Sequence, residues 1–356
     1  MNKFYTFIAK LISKTFGLFN LKKKLISNIN YNLGLNNLLL ISKNYNDITK
    51  LEQSECKIFS QNGEDGILDY IITVLKIERP NFIEIGVGSY VEANTRFIYE
   101  RFSPKGVIID IEKNLKNKVF SNINPWKGDL RVIEEKVTTE NINIILSKNC
   151  DFDVDIFSLD IDSTDYWILD KLKSNISKIF VAEYNAVFGS KLEVTTPNIK
   201  NFNREEYHYS HLCFGMSLRA LINIMVKKNY YFIGTNSVKN NAFFVSNDYP
   251  IDQYFKNLKI REIDYYVDTN IRESRNIKGN LNYLSGEKKL REIYDCEVID
   301  LSVDVKKKVK IRDIIINHDI RWIDIIMIIN FIKQSIKQSL NSFVWSFFPH
   351  LFNFNF

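Results

Sequence analysis

The sequence predicts an α/β fold organised around an open, mostly parallel β-sheet. Four apolar runs have the composition of buried strands, and stretches that can form helices separate them. Each run carries or ends in an acid, and these acids are Glu84, Asp110, Asp160 and Glu183. Two further runs, 230–234 and 242–245, lie close enough to form an antiparallel hairpin at the end of the sheet. Ligands of open α/β sheets bind outside the carboxyl ends of the strands, so the four acids are expected to converge on one rim.

The first strand, within residues 81–90, indicates the kind of ligand. It breaks into Gly86 and Gly88 before a stretch that can be helical, and bare backbone at such a turn can approach a nucleotide closely. Asp110 lies roughly 20 residues further on, a spacing typical of an acid that accepts hydrogen bonds from ribose hydroxyls. A dinucleotide fingerprint would have a third glycine where this chain has Val91. That departure favours a nucleoside-type ligand such as S-adenosylmethionine over NAD.

A second candidate site follows the run 154–159. Asp160 and Asp162 are two residues apart, so on an extended chain their side chains face the same way. Together with Asp165 they can hold a divalent cation through oxygen ligands, or one of them can serve as a general base. The structural alternative is that Asp162 or Ser163 caps the helix that begins near residue 166.

Two polar segments are further candidates. Residues 59–66 form a polar, turn-rich cluster that can cover the polar end of a cofactor, although Ser60 or Asn62 can equally cap the helix that follows. His208 and His211 are three residues apart and can share a helical face, but a metal site needs more ligands than these. Two interpretations of His208 and His211 stay open: catalytic residues, or ordinary residues of the surface.

Composition and charge limit the class of protein. The chain has 356 residues and a formal charge of +6. Its four cysteines are widely spaced, so they predict neither a zinc site nor a disulfide framework and favour a reducing cytoplasm. No acid precedes Asp47, and none follows Asp324. Lysines interrupt the apolar residues of the first segment, which predicts a basic amphipathic helix on anionic lipid or, alternatively, a helix that caps the catalytic domain. No apolar span approaches the roughly 20 residues that cross a bilayer.

Several motifs together resemble a known family. The runs SQNGEDGIL, FIEIGVGSYVEANTR, SLDIDSTDYWIL, VAEYNAVFGS, FGMSLRAL and NSVKNNAFFV resemble class I S-adenosylmethionine-dependent methyltransferases, most nearly the bacterial FkbM-like group associated with surface polysaccharides and glycans. The resemblance covers roughly Ser60 to Asp248, with Tyr90 where many such enzymes have a third glycine. It implies a Rossmann-like sheet, with Glu84, Gly86 and Gly88 around the methionine part of the cofactor and Asp110 on its ribose.

The resulting expectation is an enzyme of the methyl-transferring class EC 2.1.1. The expected cofactor-binding residues are Ser60, Gln61, Glu84, Gly86, Gly88, Asn94 and Asp110; the catalytic ones are Asp160, Asp162 and His208; the tentative metal ligands are Asp160 and Asp162. The acceptor is expected to be a sugar or glycan precursor, with no nucleic-acid partner. The alternatives are a nucleotide- or sugar-nucleotide-binding protein of glycan assembly without methyl transfer, and a peripheral membrane scaffold.

The expected organisation has four parts. Residues 1–50 form a basic extension, 51–250 the Rossmann-like domain with its terminal hairpin, 251–310 an appended segment, and 311–356 an amphipathic helical tail. The protein is expected in the cytoplasm, at the inner face of the membrane if its ends bind lipid, and its oligomeric state is open.

Overall fold

A seven-stranded sheet forms the centre of the protein, as described by a computed structural model for residues 22, 24–189, 191–260 and 273–316. Its strands occur in the order β3-β2-β1-β4-β5-β8-β7. The strands are β1 (Phe82–Ile85), β2 (Lys105–Asp110), β3 (Asp129–Glu134), β4 (Ile156–Leu159), β5 (Ile179–Glu183), β7 (Tyr230–Thr235) and β8 (Asn241–Ser246). Strands β1 to β5 pair in parallel, whereas β8 pairs antiparallel with both β5 and β7. The predicted fold class is confirmed: a Rossmann-like, mostly parallel sheet that ends in an antiparallel hairpin.

Helices cover both faces of this sheet. They are α1 (residues 24–42), α2 (Glu64–Leu75), α3 (Arg96–Phe102), α4 (Leu115–Asn122), α5 (Ile142–Asn149), α6 (Asp165–Lys171), α7 (Arg204–Tyr207), α8 (Leu218–Lys227), α9 (Ile251–Tyr254) and α10 (Glu287–Glu292). Short 3-10 turns occur at Tyr45–Asp47, Leu51–Ser54, Pro125–Lys127 and Ala186–Phe188. In the part of the chain that the structure describes, no helix combines the length and apolar character needed to cross a membrane.

Two hydrophobic cores follow from the alternation of side chains along the strands. Phe82 of β1 packs into a core with Ile67 of α2 and Phe97 of α3. Its neighbour Ile83 points to the opposite face and packs into a core with helices α5, α6 and α8, where Leu221 is fully buried. Because the central strands are covered on both faces, their sequences are mostly apolar, with the buried Glu84 in β1 and Ser158 in β4 as exceptions near the carboxyl ends.

A small antiparallel sheet joins distant parts of the sequence. Strand β6 (Val194–Thr195) pairs with β9 (Glu297–Asp300), which pairs with β10 (Lys307–Lys310). The third core, with Phe188, Cys213 and Val298, lies against it. Part of the segment expected to be an appendage, residues 251–310, thus completes a sheet with the polar loop that follows β5. Of the extension expected at residues 1–50, residues 1–21 and 23 lie outside the described residues, and so do residues 317–356 of the tail expected at 311–356.

Candidate functional site

A cavity of about 1130 Å³ opens at the carboxyl ends of β1, β2 and β4. Four loops form its walls: the β1–α3 loop, the end of β2, the loop after β3 and the loop after β4, with residues 198–202 closing one side. The lining residues include Gly86, Gly88, Val91, Asp110, Ile111, Val137, Thr138, Asp160, Asp162, Asn198 and Ile199. This is the rim at which open parallel sheets place their ligands.

Glycine at positions 86 and 88 serves two different structural purposes. Gly86 has φ +86°, and a Cβ atom there would lie 1.5 Å from the carbonyl oxygen of Asp160, so the β1 and β4 ends can approach only without a side chain. Gly88 has φ +51° with no heavy atom within 4 Å of its ideal Cβ position, so its backbone faces open space. Gly86 therefore fixes the packing of the rim, while Gly88 exposes its backbone at the cavity.

Asp110 is held in place by backbone amides. The Gly88 N–H donates to its Oδ2 at 2.7 Å, and the Glu112 N–H donates to its Oδ1 at 2.8 Å. Each carboxylate oxygen keeps a lone pair for a further donor. Ile111 follows at the rim and is 64% exposed. The cavity thus presents a fixed acceptor beside an uncovered apolar surface.

Asp160 and Glu183 form a carboxyl pair at the ends of two adjacent strands. Leu159 of β4 pairs with Ala182 of β5, so the next residue on each strand meets its counterpart. Ligand oxygens of the two side chains lie within 4.8 Å of each other, and two carboxyl groups this close favour holding one proton over ionising together. Burial raises the pKa of Asp160 well above its ordinary value, and the charges of Asp162 and Asp165 raise it further. Burial, followed by the charge of Asp160, raises the pKa of Glu183 in the same way.

Asp162 completes a group of three carboxylates but is also an ion-pair partner. Ligand atoms of Asp160, Asp162 and Glu183 lie within 4.8 Å of one another, and such oxygens suit Mg²⁺ or Mn²⁺. Asp162 is exposed, and its Oδ1 accepts a hydrogen bond from Arg204 Nη1 at 2.9 Å. A cation held by all three residues would have to compete with the Arg204 guanidinium.

The side chain that orders the loop before α6 is that of Asp165. The sequence had suggested Asp162 or Ser163 for this role. Asp165 accepts hydrogen bonds from the N–H groups of Ile161 and Ser163, each at 3.0 Å. The N-cap residue is Thr164, whose side chain makes no capping bond. The structural role proposed for Asp162 or Ser163 therefore belongs to Asp165, while Asp162 lines the cavity and pairs with Arg204.

Four of the expected cofactor-binding residues lie outside the cavity lining. Glu84 is buried, and its carboxylate accepts from the amides of Asn94 and Thr95 and from the Thr95 hydroxyl. The Asn94 side chain donates to Ser158 Oγ at 3.1 Å. The Ser60 hydroxyl accepts from the Asp65 N–H at 3.1 Å, the capping role that was the structural alternative, while Gln61 is exposed. These contacts brace the loops behind the rim, and direct cofactor contacts by the four residues stay a prediction.

His208 also lies away from the cavity lining. Its Nδ1 is 2.6 Å from Ser210 Oγ, its ring lies against Tyr209, and it hydrogen-bonds the thiol of Cys296. His211 instead lines a small chamber of about 70 Å³ with Glu183 and Arg204. A catalytic role for His208 would need a substrate that reaches beyond the main cavity.

Sequence reasoning missed one wall of the cavity and under-used one residue. Residues 135–140 follow β3, an edge strand whose mixed polar sequence gives no clear strand signal. Glu183 was expected on the rim, but not as the neighbour of Asp160 in a carboxyl pair. The available signal was the matching position of both acids at the ends of consecutive parallel strands.

Comparison with known proteins gives matches among solved structures alone: no family model and no curated protein matches the chain. TrmK of M. capricolum, solved with S-adenosyl-homocysteine, is 13% identical over 55% of this chain and 68% of its own, with a TM-score of 0.29. An S-adenosylmethionine-dependent methyltransferase of Clostridium acetobutylicum is 8% identical over 51% and 88%, with a TM-score of 0.33.

A third match, a SAM-dependent methyltransferase of Aquifex aeolicus, is 14% identical over 49% of this chain and 87% of its own, with a TM-score of 0.30. Structural similarity at this level of identity and TM-score does not indicate an activity for this chain.

Proposed function

We propose that the chain is an S-adenosylmethionine-dependent methyltransferase. The observation that carries this proposal is the Gly88–Asp110 pair, a backbone amide and a carboxylate fixed 2.7 Å apart at the carboxyl end of a parallel sheet. Asp110 retains acceptor capacity on both oxygens, which suits the two vicinal hydroxyls of a ribose. The loop with Gly88 leaves bare backbone beside it for the rest of the nucleoside.

Apolar groups beside Asp110 fit the base of the same nucleoside. Ile111 projects 64% exposed at the rim, and Val137 of the post-β3 loop lies in the same lining. An adenine ring placed against Ile111 would cover surface that is now exposed to water, which is favourable by about 25 cal/mol per Å². The polar atoms of residues 135–140 are then available to the ring edge.

The size of the cavity supports two ligands bound together. Pockets for a single ligand of cofactor size are typically about 300–1,000 Å³. The cavity here measures about 1130 Å³ and continues past Asp160 and Asp162 to Asn198. We place the acceptor in that second part, so that its nucleophile meets the methyl group beside Asp160.

The Asp160–Glu183 pair supplies the proton acceptor. When a hydroxyl attacks the methyl carbon, the new O–C bond forms as the C–S bond breaks, with its electrons passing to sulfur, and the hydroxyl proton must leave. The pair carries one proton and one negative charge, so it can accept that proton and become neutral. A carboxylate whose pKa is raised by burial is a stronger base than an ordinary one, which favours this step. Asp160 lines the cavity and touches the acceptor, while Glu183 acts through Asp160.

The acceptor class we propose is a sugar or glycan precursor, following the resemblance of the sequence motifs. Hydroxyl-rich ligands need many hydrogen-bonding partners, and the outer part of the cavity offers Thr138, Thr139, Asn198 and Lys200. A divalent cation on Asp160, Asp162 and Glu183 is the alternative means of activating the hydroxyl. In that case chelation abolishes turnover and Mg²⁺ or Mn²⁺ restores it.

Isothermal titration tests the cofactor assignment. We expect S-adenosylmethionine to bind, with UDP-glucose and NAD binding far more weakly, and Asp110→Ala to weaken S-adenosylmethionine binding at least tenfold. That loss corresponds to about 1.5–3 kcal/mol for a charged hydrogen bond. Glu112→Ala is the matched control, because it removes a carboxylate two residues away that pairs with Lys118.

The same titration separates the alternatives. Tight binding of UDP-glucose without S-adenosylmethionine would support a sugar-nucleotide-binding protein. Equal affinity of the Asp110→Ala and wild-type proteins would contradict the ribose assignment.

A further inference from the structure

Helix α1 is anchored to the protein through one face. Leu38 is 1% exposed within the first core, and a Cβ atom on Gly34 would lie 2.6 Å from Ile58, so the helix backbone lies directly against the body at this point. Further along, the Arg96 guanidinium donates to Ser27 Oγ at 3.0 Å. The described part of this N-terminal segment therefore packs on the body through its inner face, while both alternatives for residues 1–21 stay predictions.

The outer face of α1 is also apolar. Its exposed apolar residues are Leu25 (59% exposed), Ile26 (48%), Ile29 (47%), Leu33 (61%), Leu39 (51%) and Leu40 (60%), with the exposed Asn32 and Asn36 between them. A helix rises 1.5 Å per residue, so these side chains cover about 22 Å of its length. Single exposed aliphatic residues are ordinary, but a row of this length on one helix marks an interaction surface.

An exposed tryptophan lies beside the same helix. Trp126 is 77% exposed in the turn Pro125–Lys127. The ammonium group of the next residue, Lys127, is 5.9 Å from the ring centroid of Tyr31 on α1, which places the turn next to the helix. Tryptophan combines an apolar ring with one N–H donor and is enriched where protein meets the surface of a bilayer.

The two terminal segments of the sequence carry charges of one sign. Residues 1–46 contain no acid, but they contain Lys3, Lys10, Lys14, Lys22, Lys23, Lys24 and Lys43. Residues 325–356, which are also apolar, contain no acid either and carry Lys333 and Lys337. A second copy of α1, or residues 325–356 of the same chain, would bring lysines against lysines. An anionic partner with an apolar interior has the complementary chemistry.

We propose that the outer face of α1, together with Trp126, docks on an anionic lipid bilayer. The helix lies in the plane of the headgroups, its outer leucines and isoleucines reach the acyl boundary, and the exposed Lys22, Lys24 and Lys43 at its ends contact lipid phosphates. Arg96, which holds Ser27, also donates to the carbonyl of Val91 in the cavity wall at 2.7 Å. The Arg96 side chain thus connects the docked helix directly to the cavity wall, which places the acceptor cavity close to the membrane surface.

Vesicle flotation of the full-length protein tests this surface. The probes are phosphatidylcholine vesicles with and without 30 mol% phosphatidylglycerol, on the order of a cell's anionic lipid content. We expect binding to the anionic vesicles alone, weakening as salt is raised. The double substitution Ile29→Asn and Leu33→Asn should reduce the partition coefficient by about tenfold or more, because two aliphatic side chains no longer enter the bilayer.

The matched control is Ile277→Asn with Val305→Asn. It makes the same neutral change at two positions that are 81% and 68% exposed but lie elsewhere in the chain. The control should bind as the wild type does, and both proteins should keep the wild-type melting temperature because all four positions are on the surface. Trp126→Ala should weaken binding in the same direction as the α1 variant.

Three results would overturn the proposal. Equal binding of the α1 variant and the control would show that the outer face is not the contact. Equal binding to neutral and anionic vesicles, or no binding to either, would remove the anionic bilayer as the partner. A wild-type dimer in light scattering that the α1 variant converts to a monomer would show that a second copy of the chain covers this face. Titration of S-adenosylmethionine is independent of all three results, so it tests the proposed function separately.

Discussion

At the scale of single residues, the proposed chemistry depends on the neighbouring carboxyl groups of Asp160 and Glu183. Asp160→Asn keeps the size of the side chain but removes the group that faces the acceptor. We expect near-normal affinity for S-adenosylmethionine and a loss of methyl transfer of about 10²–10⁴-fold, the typical contribution of a positioned general base. Single-turnover transfer together with cofactor titration measures the two effects, and wild-type turnover would remove Asp160 from the mechanism.

Glu183→Gln tests the positioning role of the second carboxyl group through the pH profile. The pair acts as a base with one proton bound, so activity should rise with pH through its first ionisation and change again through its second, whose pKa repulsion between the two carboxylates raises further. A glutamine cannot ionise, so the variant should keep one ionisation, that of Asp160, and lose the second step of the profile. A second step that persists in the variant, as it does in the control Glu112→Gln, would show that Glu183 is not the group coupled to Asp160.

At the scale of elements, substitutions of Gly86 and Gly88 on the same loop should have different effects, the first on stability and the second on cofactor binding. Gly86→Ala places a methyl group 1.5 Å from the Asp160 carbonyl oxygen at φ +86°, so the β1–β4 contact has to open. We expect a destabilisation of about 2–5 kcal/mol from overpacking and backbone strain together. Gly88→Ala meets no atom within 4 Å and should cost only about 1 kcal/mol. Its main effect should be weaker cofactor binding, because Gly88 lines the cavity. Thermal melts and titration of both variants check this, and equal destabilisation by the two would contradict it.

The elements also show which parts of the structure the sequence could predict. Strands β1, β2, β4 and β5 are buried on both faces and are legible as apolar runs, and the hairpin β7–β8 follows from the short connection between two such runs. Strand β3 lies at the sheet edge with half-buried, partly charged residues, so its pattern is weak. Strand β6 has two residues and pairs with β9 across about 100 residues of sequence. Such pairing is set by tertiary packing, and no local pattern predicts it.

The sequence predicted the edge of the sheet at which the candidate site lies, but not which residues contact one another there. Acids at strand ends could be assigned to one edge because parallel strands align their carboxyl ends. Whether each acid faces the cavity depends on the loops that approach it. Glu84 is occupied by the amides of Asn94 and Thr95, whereas Asp110 is held by Gly88 and stays at the cavity wall. Those loop conformations depend on contacts between segments far apart in the sequence.

At the scale of the whole molecule, buried acids make the stability depend on pH in one direction. Burial raises the pKa of Glu84 to about 7 and the pKa of Asp65 and Asp165 to about 6, although backbone amides that donate to each carboxylate oppose this rise. In the unfolded chain these groups titrate near their ordinary values of about 4. The folded protein therefore binds protons more tightly than the unfolded chain between these limits. This contribution to stability is complete below about pH 4 and is lost as pH rises through 6 to 7.

The expected result is a fall in the free energy of unfolding of about 2 kcal/mol or more between pH 5 and pH 8, followed by a plateau. Denaturant titrations at half-unit pH steps measure it. Glu84→Gln should flatten the slope between pH 5 and pH 8, because its amide does not titrate in that range. The slope is the informative quantity, since an amide facing the N–H groups of Asn94 and Thr95 lowers stability at every pH. The exposed control Glu112→Gln should keep the wild-type slope. A stability that rises from pH 5 to pH 8 would mean that the amide donors outweigh burial and that these carboxylates are fully ionised in the folded protein.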